Sequence, residues 1–419
     1  MGLPLVFSLG GIAAIGLYLI KGPKSIPIIY LNTIAQARDN TYIAVPLFTY
    51  MAFMLERSGA AEGLLSTIQN WTGKLAGSLA MGTIAISTVL ASMVGLSSAT
   101  IITMGVTVLP SMLKRGYDEG LAIGSIAAGS TLGIMIPPSV LGLLVAGQLN
   151  VTPGRMFLAG FLPGFLLASI FIIYIGIRCY LNPSLGPPAS EEEEVSTATK
   201  FKSLGAVILP AFLVVMVLGS IFMGIATPLE SAAVGALGSI LIVAINRRLT
   251  WKTFKEVNFN TLKLTCMVMW VLFAANSFRA VYIVSGAGSF VQNMLMNVPF
   301  GAVGSVVVME VILLFLGCFL DEFGIVIITM PVFIPVVQHL NIEPIWFGIL
   351  FIINMQIAEL SPPIGINIFY MQAVVPKGTR IEELYRSVLP FIGLLVIGMI
   401  IIFIFPQIAT WLPYTMIPK

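Results

Sequence analysis

A chain of 419 residues that is 58% hydrophobic and 9% charged exposes too little charge for a soluble protein of this length, and its apolar runs recur from end to end. The composition predicts an all-α polytopic membrane protein. A formal net charge of +3 is small for the length and points to no nucleic-acid partner, so the informative quantity is where the Lys and Arg residues fall.

In chain order, runs long enough to span are expected at about 3–20, 42–55, 120–147, 156–178, 205–225, 228–245, 261–284, 345–373 and 387–411, since ~20 residues cross the hydrocarbon. Residues 1–20 lack a basic leader and an obvious cleavage site, and are read as a span rather than a secretory signal. Two more runs, 77–113 and 300–338, are interrupted at Gly95–Thr100 and Leu320–Gly324. Their halves are too short to cross comfortably, which predicts re-entrant helical hairpins whose tips meet near the midplane. Two further helices should break at Gly-Ile-Met-Ile-Pro-Pro-Ser (133–139) and Glu-Leu-Ser-Pro-Pro-Ile-Gly (359–365). Backbone freed by Gly and Pro at membrane depth must find partners in protein, water or an ion, so such breaks line a cavity. The segments Ile26–Arg38, Ala60–Lys74, Trp251–Asn258 and Gly286–Asn297 mix apolar and polar residues and are expected to lie at the interface as arms or elbows. Asn182–Ser203, with four consecutive glutamates beside Pro and Ser, reads as a soluble linker. Cys179, Cys266 and Cys318 lie in or beside apolar runs without CxxC spacing, which favours buried, inert thiols.

The layout occurs twice. Pro110, Pro137 and Pro138 recur as Pro335, Pro362 and Pro363 at one constant offset, and Ser58-Gly59-Ala60 recurs as Ser285-Gly286-Ala287. We therefore expect an inverted repeat with two re-entrant hairpins and two broken helices: a first copy at 1–181, an acidic cytoplasmic linker at 182–204, a connecting span at 205–225 and a second copy at 226–419. Each copy enters and leaves on the same side, so the single connecting span is what inverts the second. A cytoplasmic N-terminus and periplasmic C-terminus put most of the 21 Lys and Arg residues inside, with Lys21 and Lys24 as dissenters.

Ser97 or Ser98 could cap the second half of the first hairpin, and Asp321 the second half of the other. A structural cap is the competing reading for each. Half-helix N-termini favour an anionic solute, while C-terminal carbonyls and hydroxyls suit Na⁺. Candidate solute contacts are Ser97, Ser98, Thr100, Pro137, Asp321 and Pro362. Candidate Na⁺ ligands are Gly95, Ser97, Ser98, Thr131, Gly133, Leu320, Asp321, Gly324, Glu359 and Ser361. Asp321, Glu322, Glu359 and Glu310 are acids at membrane depth, where a charge is costly unless protonated, paired or bound to a cation; a neighbouring hydroxyl would suffice for Glu310. Asn276, Asn354, Gln356 and Asn367 are expected to bond helix to helix, and His339 to lie at the surface. No Ser/His/Asp, HExxH, Walker or GxGxxG context supports an enzyme or ATPase.

On these residues the sequence resembles the large, DctM-like membrane subunit of the tripartite ATP-independent periplasmic (TRAP) transporters. The likeness covers nearly the whole chain, through AVPLFTYMAFMLERSGAAEGL, KRGYDEGLAIGSIAAGSTLGIMIPPS, FLAGFLPGFLL and LDEFGIVIITMPVFIPVVQHLNIEPIWFGILFIINMQIAELSPPIG. Leu-Gly-Pro-Pro (185–188) and Glu-Pro-Ile-Trp-Phe-Gly (343–348) look like the branch associated with mannitol, chloroaromatic and 2-oxo acid compounds. The resemblance implies an elevator-type fold of the ion-transporter superfamily in the cell inner membrane, in contact with lipid. It also implies Na⁺-driven uptake of an organic acid delivered by a periplasmic binding protein, with a small four-helix membrane subunit as partner. Many members carry Gly-Ser-Ala in the first tip and Asp-Pro in the second, where this chain has Ser97-Ser98-Ala99 and Asp321-Glu322, so ion number and solute are not carried over. A stand-alone ion-coupled carboxylate carrier or antiporter of the same superfamily is the alternative. An intramembrane hydrolase using Asp321 and Glu359 is the remote one.

Overall fold

The structure, a computed structural model, describes residues 5–60, 63, 75–188 and 197–417, and all regular structure among them is helical. Among the described residues, five helices are long and apolar enough to cross a membrane on their own: Pro153–Leu181, Pro228–Ile245, Trp251–Val284, Glu322–His339 and Ile381–Ile404. Shorter apolar helices, among them Leu5–Lys21, Asn40–Glu56, Ser78–Val94 and Pro344–Leu360, complete a multi-pass bundle.

Local chemistry explains the boundaries. Pro153, Pro228 and Pro344 open their helices, where a missing N–H costs nothing. Thr227 and Glu230 close a capping box, Glu230 accepting from the Thr227 backbone N–H at 2.8 Å. Asp118 caps Glu119–Thr131 by accepting from Leu121 N–H at 2.8 Å, and Ser139 caps Val140–Leu149 by accepting from Gly142 N–H at 2.9 Å.

Helix Ser78–Val94 turns back through Gly95 and Leu96 into Ser97–Thr107 and Leu109–Lys114. Gly95 is left-handed at φ +64°, and a Cβ there would lie 2.0 Å from the Pro138 carbonyl oxygen, so only glycine lets this tip seat on the Pro-Pro break. That break separates Glu119–Thr131 from Val140–Leu149. The corresponding units downstream are Gly301–Gly317 with Glu322–His339, and Pro344–Leu360 broken from Ile366–Gln372. Both Pro-Pro peptide bonds are cis.

The Ser-Gly-Ala pair repeats in geometry as well as in letters. Ser58 Oγ donates to the Leu55 carbonyl at 2.6 Å and accepts from Ala60 N–H at 3.2 Å; Ser285 Oγ donates to Tyr282 at 3.2 Å and accepts from Ala287 N–H at 3.3 Å. Gly59 and Gly286 follow at φ +88° and +75°. Past the second elbow, Ala287–Met296 bends by 119° into Gly301–Gly317.

The helices pack in two groups. Leu5–Lys21, Ile26–Ala37, Asn40–Glu56, Thr197–Phe222, Pro228–Ile245 and Trp251–Val284 lie chiefly against one another. The hairpins, the broken helices, Pro153–Leu181 and Ile381–Ile404 form the other group, held by contacts such as the edge-on Phe171 and Phe391 rings at 5.6 Å. Asn40–Glu56 and Trp251–Val284 make the main contacts between the groups. Beyond the last span, Gln407–Met416 closes one end of the bundle: Tyr414 Oη donates to Glu343 at 2.5 Å, and the Arg155 guanidinium lies 5.9 Å from the Tyr414 ring. Burial first, then the Glu343 carboxylate, push the Tyr414 hydroxyl up to about 12.

Several expectations need correction. Trp251–Asn258 is not an arm or elbow distinct from the run that follows but the start of one 34-residue helix, because Thr250 caps it, accepting from Thr253 N–H at 3.1 Å, and no Gly or Pro interrupts it before Ser285. The run 387–411 ends at Ile404, and Pro406 opens the short helix that follows. Cys179 is buried, but Cys266 is exposed and Cys318, the residue that closes Gly301–Gly317, is half-buried. The arm expected at Ala60–Lys74, apart from Ala60 and Gly63, and the acidic run Glu191–Glu194 lie outside the described residues.

Candidate functional site

The first tip meets the second break. Ser97 does not cap its helix: the cap position belongs to Leu96, whose extended backbone offers no side-chain acceptor. The Ser97 hydroxyl instead donates to Glu359 Oε1 at 2.6 Å and lies 3.3 Å from Asn367 Oδ1. Asn367 Nδ2 donates to Glu359 Oε2 at 3.0 Å, so both oxygens of a carboxyl group only 4% exposed are held, one from the first tip and one from just past the second Pro-Pro break. At the second tip Asp321 does act as a cap, accepting from Gly324 N–H at 2.7 Å.

A cavity of about 360 Å³ opens where these elements converge. Ser97, Ser98, Asp321, Glu322, Glu359 and Tyr370 form one wall. Asn260, Lys263, Leu264 and Met267 form the facing wall, from one side of Trp251–Val284, and Phe53 and Phe323 add apolar surface. The cavity therefore lies between the two packing groups, carrying three carboxyl groups and one ammonium.

Of the residues singled out in the sequence, Ser97, Ser98, Asp321, Glu322 and Glu359 come together here. Gly95 and Gly133 belong to the neighbouring seam between first tip and first break, where a Cβ on Gly133 would lie 3.2–3.3 Å from the Leu96 and Ser97 backbone. Thr100, Thr131 and Ser361 commit their hydroxyl protons to their own helices, on Leu96 at 3.2 Å, Ala128 at 2.8 Å and Ile357 at 2.7 Å. Their oxygens are left with lone pairs only, a donor set for a cation rather than an anion. Leu320, Pro137 and Pro362 do not line the cavity, and Gly324 serves through the N–H that Asp321 accepts.

Sequence reasoning missed Lys263, Asn260 and Tyr370 as lining residues; its expectation that Asn367 bonds helix to helix holds, the partner being Glu359 on the helix before the break. The first two carry no motif, and only the face of a long helix distinguishes them. Asn367 had a readable signal, since Glu359 and Asn367 flank the same Pro-Pro break. Glu310 is paired elsewhere: Asn354 Nδ2 donates to its carbonyl and to its Oε2, both at 2.8 Å, so it meets an amide rather than a hydroxyl. Asn276 donates to Gln36 Oε1 as a link between helices, and His339 is exposed. Gln356 is fully buried with neither side-chain atom bonded to protein, contrary to the expected cross-helix bond.

The family model described as Tripartite ATP-independent periplasmic transporter, DctM component, matches residues 1–408. The C4-dicarboxylate TRAP transporter large permease protein DctM of Vibrio cholerae is 29% identical over 99% of this chain and 94% of its own length. The ectoine TRAP transporter large permease protein TeaC of Halomonas elongata is 28% identical over 98% of this chain and 95% of its own. Among solved structures, the YdaH transporter of Alcanivorax borkumensis superposes with a TM-score of 0.66 over 96% of this chain and 97% of that one, at 14% identity, a likeness of fold alone.

Proposed function

The chain belongs to the DctM component family of the tripartite ATP-independent periplasmic transporters, and on that premise we propose that it is the large membrane subunit of a Na⁺-driven importer of an organic acid. As its relatives are, it is a permease component and not an enzyme. In this reading a periplasmic binding protein delivers the solute, a small four-helix membrane subunit completes the complex, and the chain sits in the inner membrane with its N-terminus cytoplasmic and its C-terminus periplasmic.

The observation that carries the reading is the charge of the cavity: three carboxyl groups face one ammonium. An organic anion entering such a space is repelled unless cations enter with it, and that mutual requirement is what couples two solutes thermodynamically. The tips and breaks supply hard oxygen donors whose protons are already committed, which suits Na⁺ better than a transition metal. Gly95, Ser97, Thr131 and Gly133 would contribute to one ion and Asp321, Glu359 and Ser361 to another. Movement is assigned to the group holding both hairpins, sliding as an elevator against the other group.

Uptake of a radiolabelled organic acid into proteoliposomes, with and without the binding protein, tests this. We expect uptake that needs the binding protein and an inward Na⁺ gradient. Unchanged uptake when choline replaces Na⁺ removes the ion coupling.

A further inference from the structure

We infer that Lys263 receives the anionic end of the transported solute, and that the site takes a monoanion, a carboxylate or sulfonate whose opposite end is uncharged or cationic, in preference to a dicarboxylate. This rests on the reading above that the cavity is the transport site.

Lys263 and Asn260 lie three residues apart on one face of Trp251–Val284 and both line the cavity. Among the described residues Lys263 is the sole cation lining the cavity, and it forms no salt bridge there, although three carboxyl groups share its cavity. Two of those carboxyl groups are held by other partners, Asp321 by Gly324 N–H and Glu359 by Ser97 and Asn367. The space is thus bipolar: an unspent ammonium on the wall it shares with Asn260, Leu264 and Met267, and acids on the elements of the other wall.

A solute carboxylate placed against Lys263 gains a charge-assisted hydrogen bond, with the Asn260 amide available as a second donor. Turned the other way, it meets like charge. The second carboxylate of a dicarboxylate has no cationic side chain to receive it, and cations held at the tips must first neutralise Asp321, Glu322 and Glu359. An ammonium at the far end of the solute would face carboxyl groups instead, so a zwitterion is accommodated where a dianion is not. Because Lys263 belongs to one packing group and the acids to the other, the bound anion bridges the two.

The test uses three probes on one skeleton, propionate, β-alanine and succinate, which differ in carrying hydrogen, ammonium or carboxylate at the far end. Their binding to the purified full chain is read from thermal stability, in Na⁺ and in choline. Propionate and β-alanine should bind at least about tenfold more tightly than succinate. Lys263→Gln should weaken both by about ten- to hundredfold, and Lys263→Arg should restore part of the loss. Succinate binding as tightly as propionate, propionate binding unaffected by Lys263→Gln, or no binding of any probe to the unaltered chain overturns the inference. Equal propionate binding in choline and Na⁺ overturns the ion coupling instead, and leaves the role of Lys263 standing.

Discussion

At the scale of single residues, the decisive contact is Ser97 Oγ to Glu359 Oε1, which ties two stretches far apart in the chain. Ser97→Ala removes the donor to that oxygen and leaves a nearly buried carboxyl group short of a partner, a loss of roughly 1–3 kcal/mol. Ser97→Ala and Glu359→Gln should therefore be non-additive: the double variant should lose less thermal stability than the two single losses combined, and less Na⁺ sensitivity, while Ser97→Thr retains much of both. Additive losses would mean that the two side chains act independently. This contact also marks what a sequence can disclose. The Asp321 cap was legible because an N-cap acts on an N–H three residues away. The partner of Ser97 was not, because nothing local distinguishes a capping serine from one that reaches across the fold. Lys263 was invisible for the same reason: a lysine on a long helix declares its charge, and only the packed face of that helix reveals where the charge points.

At the scale of elements, Gly and Pro punctuation was a sound guide to the hairpins and breaks, since each demands backbone geometry that a continuous helix cannot supply. Amphipathic composition was a poorer guide. It suggested an arm or elbow at Trp251–Asn258, where Trp251–Val284 runs on as one helix through residues that all tolerate it. The Ser-Gly-Ala elbows show how a short motif can be read at both levels, yet their surroundings differ. A Cβ on Gly59 would lie 2.6 Å from Arg248 Cζ, whereas nothing lies within 4 Å of one on Gly286. Alanine pays for the left-handed backbone at both sites, on the order of 1 kcal/mol or more, and only at the first must a neighbour also move. Gly286→Ala is expected to leave thermal stability within about 2 kcal/mol of the unaltered chain and to slow uptake, because it stiffens an elbow without disturbing packing. Gly59→Ala should cost more stability. Unchanged uptake rates in Gly286→Ala would show that this elbow is not a working hinge.

At the scale of the whole molecule, the constant offset between Pro110, Pro137, Pro138 and Pro335, Pro362, Pro363 made a twofold layout legible, but no pattern in the sequence says which helices pack into one group. That division rests on packing: Asn260, Lys263, Leu264 and Met267 stand on a helix of one group, and Ser97, Ser98, Asp321 and Glu359 on elements of the other. If the second group moves as a unit, the first tip must pass along the face that Trp251–Val284 presents to the cavity. Continuing that face by helical periodicity from Asn260, Leu264 and Met267 reaches Val271, about 16 Å farther along the axis at ~1.5 Å per residue. With Cys179, Cys266 and Cys318 replaced, Ser98→Cys should form a disulfide with Asn260→Cys in one state of the carrier and with Val271→Cys in another. Each cross-link should stop uptake, and each should be relieved by reductant. A fixed central site gated by rocking halves makes a different demand, since Ser98 would then stay at the depth of Asn260 throughout the cycle. Cross-linking confined to Asn260→Cys under every ion and solute condition would therefore exclude the elevator, while leaving intact a coupled site built from the same tips and the same three acids.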